Sequence, residues 1–453
     1  MPTSSSPRAT SLLRGATISS LAVMGSRLLG LVREQIFAFF FGASREYDAF
    51  LTAFRIPNLL RDLLAEGALS TAFVTVFVTE LEGGDRRRAF RLANLVLCAL
   101  VALLLGVVAA AMVGAPQLIH LMAGGFDADK AALATGLCRV MFPYIMLAAI
   151  AAIFMGMLNA HGLYAMPQSA STFFHLTSIC VGLGCAYALA PQYMVSLWQR
   201  QPAALAPLAG RAMFGMAIGT LCGGVMQCLI QLPSLRRCGF RFAWAWELSD
   251  PAFRRVLRLM GPATLGAAAV QLNVFLNSNF ASVLGDRPIS WLNYAFRLMQ
   301  FPIGVFGVAV MTAAVPAMSR AVSRRDQTTF CNTLTQSLEL VALLTLPSAV
   351  GLWVLGEPIV RLIYEHGRFA PADTTATAAA LAAYAVGLPG YAAIKLLQPA
   401  FVALGDAKTP MRVSLLSVAL GAACNVALIF TFKLGHQGLA LSTSAMALLN
   451  VSM

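Results

Sequence analysis

Residues 89–114 read AFRLANLVLCALVALLLGVVAAAMVG, an apolar run in which Arg91 is the only charged residue. A helix needs about 20 such residues to cross the hydrocarbon core of a bilayer, where its backbone must satisfy its own hydrogen bonds. The run therefore predicts a membrane-spanning helix. Similar runs lie on both sides of it, and the twelve predicted spans are 17–41, 47–80, 89–114, 132–159, 166–190, 208–232, 256–284, 289–319, 331–355, 374–404, 411–433 and 437–453.

The composition as a whole excludes an ordinary soluble domain. The 453 residues are 58% hydrophobic and only 11% charged, whereas soluble domains are about 25% charged. The cysteines form no CxxC pair and the histidines no HxxxH spacing, so we expect neither a metal site nor a cofactor. A phosphate-binding loop with its lysine is also missing from the sequence. We expect an all-α polytopic transporter rather than an enzyme, driven by the membrane potential, a monovalent cation or the flux of its substrate.

The distribution of basic residues predicts the orientation. The net charge is +13, and arginine and lysine are roughly twice as frequent in alternate loops, beginning with the N-terminal tail 1–16, as in the others. By the positive-inside rule those loops, including the Arg-rich linker 233–255, are cytoplasmic. This placement accounts for much of the charge without nucleic acid as a partner.

An internal repeat divides the predicted spans into two halves. Four matches share an offset of 242 or 243 residues: Ala53–Arg55 with Ala295–Arg297, Gly114–Pro116 with Gly356–Pro358, Phe126 with Phe369, and Pro167 with Pro410. Each half holds an even number of spans, so both halves enter the membrane from the same side. We expect two six-helix lobes, 17–232 and 256–453, related by a parallel repeat around a central cavity that holds the substrate.

Charged residues inside spans are costly and are functional candidates. Arg27 and Glu34 lie seven residues apart and share one helix face, and Arg33 lies about 120° from Arg27. The second half contributes Arg297. A guanidinium group can bind two phosphate oxygens at once, and it stays charged in a low dielectric. An excess of arginine over acidic residues inside the spans therefore predicts an anion site that suits a diphosphate.

The alternative is that charges within spans pair with one another and hold helices together. We favour this for Arg55, Asp62 and Glu66, which can pair along one helix. The four-residue spacing of Gly215, Gly219 and Gly223 is more typical of close helix packing than of function.

Several motifs together resemble one known family. They are Ser26–Glu34, Asp48–Phe50, Phe54–Arg61, Ala65–Ala68, Ser290–Trp291, Tyr294–Met299, Glu365–Phe369, Ala403–Asp406 and Lys408–Pro410. They cover essentially the whole chain. On these residues the sequence resembles the MurJ/MviN family of bacterial lipid II flippases, within the multidrug/oligosaccharidyl-lipid/polysaccharide exporter superfamily.

The resemblance implies a function. Members carry lipid II, the undecaprenyl-diphosphate-linked disaccharide-pentapeptide, from the inner to the outer leaflet of the cytoplasmic membrane for peptidoglycan synthesis. The family's substrate-binding arginines fall on Arg27, Arg33, Arg61 and Arg297, and its cavity acids on Glu34 and Asp48. The implied partners are lipid II, membrane lipids and the cell-wall synthesis machinery, with a monomer as the expected state.

The sequence departs from the family at two points. Phe296 stands where the family usually has an acid. Members have fourteen spans, whereas this chain ends at Met453 within the twelfth, so we expect it to be truncated there and to lack the last two helices. The alternative functions are export of another polyprenyl-linked glycan, or drug/ion antiport within the same superfamily. A drug cation favours carboxylates and aromatic rings over arginines, which counts against antiport.

Overall fold

The computed structural model describes residues 7–63, 69–196, 206–406 and 408–453. Every regular element within these ranges is a helix. Those of the first half are α1 (Pro7–Phe41), α2 (Arg45–Arg61), α3 (Ser70–Glu82), α4 (Arg86–Val113), α5 (Ala115–Met122), α6 (Ala128–Met141), α7 (Tyr144–Ala160), α8 (Ala165–Leu189), α9 (Pro191–Ser196), α10 (Ala206–Leu229) and α11 (Leu232–Arg237). Those of the second half are α12 (Pro251–Val283), α13 (Pro288–Pro302), α14 (Val308–Ser323), α15 (Gln327–Val354), α16 (Gly356–Tyr364), α17 (Pro371–Ala403), α18 (Lys408–Val426) and α19 (Gly435–Ser452), with π-helical turns at Ile303–Gly307 and Ala427–Thr431.

The all-α membrane prediction is confirmed. Eight helical segments are long and apolar enough to cross a membrane: Arg86–Val113, Ala128–Ala160, Ala165–Leu189, Leu208–Arg237, Pro288–Ser323, Gln327–Val354, Pro371–Ala403 and Lys408–Thr431. Each coincides with a predicted span. The other four predicted spans overlap with α1, with α2 and α3, with α12 and with α19. The motif 65–68 with Glu66, between α2 and α3, lies outside the described residues.

The chain divides into two compact units. The first comprises Met1–Ile36, Ala49–Ile119 and Ala128–Ala268, and the second comprises Phe37–Asp48, His120–Asp127 and Ala269–Met453. These boundaries differ from the predicted ones at 232 and 256, because the linker 233–255 packs with the first unit. The end of α1 and the loop after α5 likewise pack with the second unit.

The internal repeat is visible in the order and length of the helices. α4 and α15 both have 28 residues and both begin after an aspartate, Asp85 or Asp326, whose side chain accepts from the first backbone N–H groups. Turn glycines recur at the same offset. Gly162 and Gly405 have φ values of 74° and 81°, which glycine adopts at little cost. The helices and turns of the two halves therefore recur at nearly the same spacing as the sequence matches, about 242 residues.

Helices α8 and α10 of the first unit pack closely against each other. A Cβ atom on Gly219 would lie 2.5 Å from the backbone nitrogen of Gly182 and from the carbonyl oxygen of Ser178. One on Gly223 would lie 2.8 Å from the carbonyl oxygen of Phe174. The spacing of small residues lets the two backbones touch, as predicted.

Candidate functional site

Arg33 is a buried cation of the first unit. Its side chain lies on α1 with 5% of its surface exposed. The guanidinium carbon is 5.7 Å from the ring centroid of Phe54 on α2 and 5.7 Å from that of Phe174 on α8. Both distances are within the range of cation–π attraction. The charge that the sequence places inside a span is therefore held by two aromatic rings.

The two phenylalanines belong to an aromatic cluster formed by Phe54, Tyr144 and Phe174. The Tyr144 ring, at the start of α7, lies 5.6 Å from that of Phe54 and 5.5 Å from that of Phe174. Arg61 donates a hydrogen bond of 3.1 Å from Nη1 to the Tyr144 hydroxyl. Arg33 and Arg61 thus contact the same three-residue cluster, and the rings fix the positions of two predicted substrate-binding arginines.

Arg61 also has an acidic neighbour. Its Nη2 and Nε atoms donate to Oδ1 of Asp62 at 2.8 and 3.2 Å. Both side chains are partly exposed. Asp62, for which we expected a pairing along the helix with Arg55 and Glu66, is here paired with its chain neighbour Arg61. An incoming phosphate could replace the Asp62 carboxylate as the acceptor of the Arg61 hydrogen bonds, because arginine binds both groups in the same way.

Arg27 and Glu34 lie on the same helix as Arg33. Because α1 is continuous from Pro7 to Phe41, the two side chains share a face as predicted. Glu34 is buried with 5% exposed, and Arg27 is partly buried. Gly30 lies between them, and a Cβ atom there would be 3.5 Å from Nε2 of His175. Glu34 therefore places a buried carboxyl group next to Arg33 in the sequence.

Arg297 belongs to the second unit, where it is exposed on α13. The neighbouring Phe296, at the position of the family's acid, packs its ring edge-on against Tyr384 at 5.6 Å. A π-helical turn follows Pro302, and such turns are frequent near functional sites. An aromatic contact thus fills the place where the family resemblance implies a carboxylate.

Asp48 occupies a different environment from that of a cavity acid. It is fully buried in the second unit. Its carboxylate accepts from the backbone N–H groups of Arg287 and Ser290 at 2.7 and 2.8 Å, and from the Ser290 hydroxyl at 2.5 Å. These donors form the N-terminus of α13, which attracts a negative charge. In this structure Asp48 therefore caps a helix, which differs from the predicted cavity position.

The sequence analysis missed Tyr144 and Phe174 as parts of the site. The chain contains 28 phenylalanines, and neither residue lies in a quoted motif. Sequence spacing could have identified only Phe54, which precedes Arg61 by seven residues on α2 and therefore lies on the same helix face.

These features define a class of protein. The chain is a multi-pass α-helical membrane protein with a repeated order of helices and a buried arginine, Arg33, inside a predicted span, which is the pattern of a repeat-built transporter. The sequence profile described as "Lipid II flippase MurJ" matches residues 37–453. The chain belongs to the MurJ family.

Relatives and solved structures agree with this assignment. A protein of Vibrio cholerae serotype O1 named "Probable lipid II flippase MurJ" is 34% identical over 451 residues, covering 98% of this chain and 82% of the relative. The "Lipid II flippase MurJ" of Burkholderia cenocepacia is 35% identical over 444 residues, covering 96% and 81%.

Among solved structures, "Lipid II flippase MurJ, inward closed conformation" superposes with a TM-score of 0.80 at 27% identity, covering 96% of this chain and 86% of that one. An inward-facing MATE family transporter of the MOP superfamily gives a TM-score of 0.70 at 15% identity, covering 96% and 92%. The second likeness shows a shared fold alone.

Proposed function

We propose that this chain is a lipid II flippase that carries the lipid-linked peptidoglycan precursor from the inner to the outer leaflet of the bacterial cytoplasmic membrane. Membership of the MurJ family over residues 37–453 carries the proposal. It is a transporter, not an enzyme. The work it must do is to move a polar head group that carries a diphosphate through a layer in which an unpaired charge is costly.

The geometry of the first unit supports a diphosphate-binding role for Arg33 and Arg61. Guanidinium groups remain charged when they are buried, and their planar fork matches phosphate oxygens. The aromatic cluster holds Arg33 in place before substrate arrives, which reduces the ordering cost of binding. We assign Arg27 and Arg297 to the same role on their charge and on the family resemblance.

The acidic partners suggest how the site is maintained when it is empty. Asp62 is bonded to Arg61, and Glu34 lies buried on the helix that carries Arg33. In the proposal these carboxylates balance the arginines until the diphosphate replaces them, and they attract them again after release. In alternating access, the head group shifts the protein between two conformations by as much as its affinity for them differs. We keep a cytoplasmic N-terminus, a monomer, and coupling to the membrane potential or a monovalent cation as parts of the proposal.

A growth assay tests the function. The protein is expressed in a bacterium depleted of its own lipid II flippase, both as the 453-residue chain and as a version extended to fourteen spans, with membrane levels measured for each variant. We expect rescue by at least one form, loss of rescue with Arg33→Ala, and retained rescue with Arg361→Ala. Arg361 is a matched control because it is an exposed arginine paired with Glu357 on α16. Absence of rescue by both forms at normal membrane levels would overturn the proposal.

A binding assay tests the site. Purified protein in nanodiscs is titrated with lipid II, and the Arg33→Ala, Arg61→Ala, Arg297→Ala and Arg361→Ala variants are compared. Loss of a charge-assisted hydrogen bond to phosphate costs about 1.5–3 kcal/mol, so we expect roughly 10- to 100-fold weaker binding for each of the first three. Unchanged affinity in all three would refute the diphosphate-binding role. Equal binding of another polyprenyl diphosphate glycan would instead favour export of that glycan.

A further inference from the structure

A row of exposed aromatic side chains lies in the segment 238–250, between α11 and α12 of the first unit. Phe242, Trp244, Trp246 and Leu248 have 63%, 73%, 55% and 52% of their surface exposed. They alternate with Arg241, Ala243, Ala245 and Glu247, the period at which an extended chain places side chains on one side. Large apolar side chains exposed together mark a contact surface. We call these four residues the aromatic row.

The segment is fixed to the protein by the residues that flank the row. Phe240 is buried, with its ring 5.8 Å from that of Phe90. Asn94 donates from Nδ2 to the carbonyl oxygen of Arg241 at 3.2 Å. Arg91 forms an ion pair with Glu247. Because these anchors all lead to α4, Arg241 and Glu247 are tied to the protein, whereas the four side chains of the row remain largely exposed in the described part of the chain.

The far end of the segment is also anchored. Asp250 accepts from the backbone N–H groups of Ala252 and Phe253 at 2.8 and 3.1 Å, which caps α12. Phe253 is buried with 4% exposed. The segment is thus held at both ends, and the exposure of the row is a property of an ordered piece of chain.

The position of the segment restricts what it can contact. The helical segment Leu208–Arg237, which is long and apolar enough to cross a membrane, ends immediately before it, so we expect the segment 238–250 to run near the membrane surface. Tryptophan is enriched at that surface, where its ring lies among the head groups. The row has the composition that this layer favours.

Charge selects the kind of lipid. Arginines surround the row and all are exposed: Arg236, Arg237, Arg241, Arg254, Arg255 and Arg258. The nearby acids, Glu247 and Asp250, are engaged as an ion-pair partner and as a helix cap. Basic residues that flank a spanning helix attract anionic head groups.

We propose that the aromatic row inserts into the head-group layer and that the surrounding arginines bind anionic phospholipid there. The segment is a lipid-binding platform at the end of α11, distinct from the arginines that we assign to lipid II. This inference depends on the chain spanning a membrane and not on the identity of the transported lipid.

The test uses the full chain in phosphatidylcholine vesicles that contain a fixed fraction of brominated phosphatidylglycerol or, as a control, the same fraction of brominated phosphatidylcholine. Bromine quenches tryptophan on contact. Wild type is compared with Trp244→Phe/Trp246→Phe, and the difference in emission isolates those two residues. Because both are exposed and phenylalanine keeps the apolar character, we expect the double variant to fold.

We expect the brominated anionic lipid to quench this emission at least about twofold more than the brominated neutral lipid. The excess should shrink at high salt, which screens surface charges, and in the Arg236→Gln/Arg237→Gln variant. Equal quenching by the two lipids would overturn the assignment to anionic lipid. Emission that neither lipid quenches, but that iodide in the water does, would overturn insertion and leave a protein partner as the occupant of the row.

Discussion

The contact between α8 and α10 gives a stability prediction with an internal control. Gly219→Ala adds one methyl group where the Gly182 backbone nitrogen and the Ser178 carbonyl oxygen would each be 2.5 Å away. Gly184→Ala adds the same group on α8, where nothing lies within 4 Å. The two substitutions are chemically identical, and only the space available to the new methyl group differs.

The expected magnitude follows from that difference. Ordinary contacts between heavy atoms are about 3.5–4.0 Å, so the helices must separate locally by roughly 1 Å, which forfeits about a quarter to a half of the attraction of the atoms involved. Overpacking of this kind costs about 1–3 kcal/mol, whereas replacing glycine by alanine in a helix contributes up to about 1 kcal/mol of stabilisation. The propensity gain is common to both variants and cancels, so we expect Gly219→Ala to be about 1–3 kcal/mol less stable than Gly184→Ala, because only the former suffers the steric cost.

Unfolding by sodium dodecyl sulphate in mixed micelles, followed by tryptophan fluorescence, measures both variants against wild type. Gly184→Ala should unfold at the same or a slightly higher detergent fraction, and Gly219→Ala at a clearly lower one. If the two variants unfold together, the close approach of the helices contributes no stability and the reasoning fails.

Three further predictions concern other contacts. Asp48→Ala leaves the N–H groups capped by this carboxylate without their acceptor and should lose about 3 kcal/mol in the same titration, with Asp48→Asn losing less because one acceptor oxygen remains; equal stability of both variants would contradict the capping role. Tyr144→Phe removes the acceptor of the Arg61 hydrogen bond and keeps the ring, so lipid II binding should weaken roughly fivefold without a comparable loss of stability. The pKa of Asp326 lies below its ordinary value of 3.8, first because the Thr329 hydroxyl donates to the carboxylate. The ionised Asp326 side chain therefore adds to the free energy of unfolding at pH values above 3.8, and this addition is lost as the pH falls through the lowered pKa. The Asp326→Asn variant lacks this titration, so its stability should fall less steeply than that of wild type below about pH 4.

The sequence predicted the parts of the fold that depend on local composition. Eight spans coincide with apolar runs because each run is long enough to cross a bilayer by itself. The charge of Arg33 stood out because a charge inside a span is rare. The unit boundaries could not be predicted, because the packing of 37–48 and 120–127 with the second unit depends on tertiary contacts.

The helix-capping contact of Asp48 follows the internal repeat that the sequence contains. Its hydrogen bonds to Ser290 join residues 242 positions apart, and 242 is the offset of the internal repeat. The carboxylate thus bonds to its own counterpart in the second half of the chain. The presence of a charge in a span indicates only that Asp48 is unusual. The repeat offset, in contrast, relates Asp48 to Ser290 near the start of α13. The aromatic cluster offered no such signal, because three separate helices contribute its rings.

The packing of α8 on α10 and the position of Arg33 are parts of one arrangement. A Cβ atom on Gly223 would lie 2.8 Å from the Phe174 carbonyl oxygen and 2.9 Å from its ring. The glycine of α10 therefore sets how closely Phe174 is held, and the Phe174 ring in turn lies 5.7 Å from the guanidinium carbon of Arg33. Since packed helices transmit small displacements rather than absorb them, a stripe of uncharged small residues helps to determine where the cation lies. The sequence predicts that the glycine stripe serves helix packing. In the structure, that packing also positions Phe174, which contacts Arg33 of the proposed binding site.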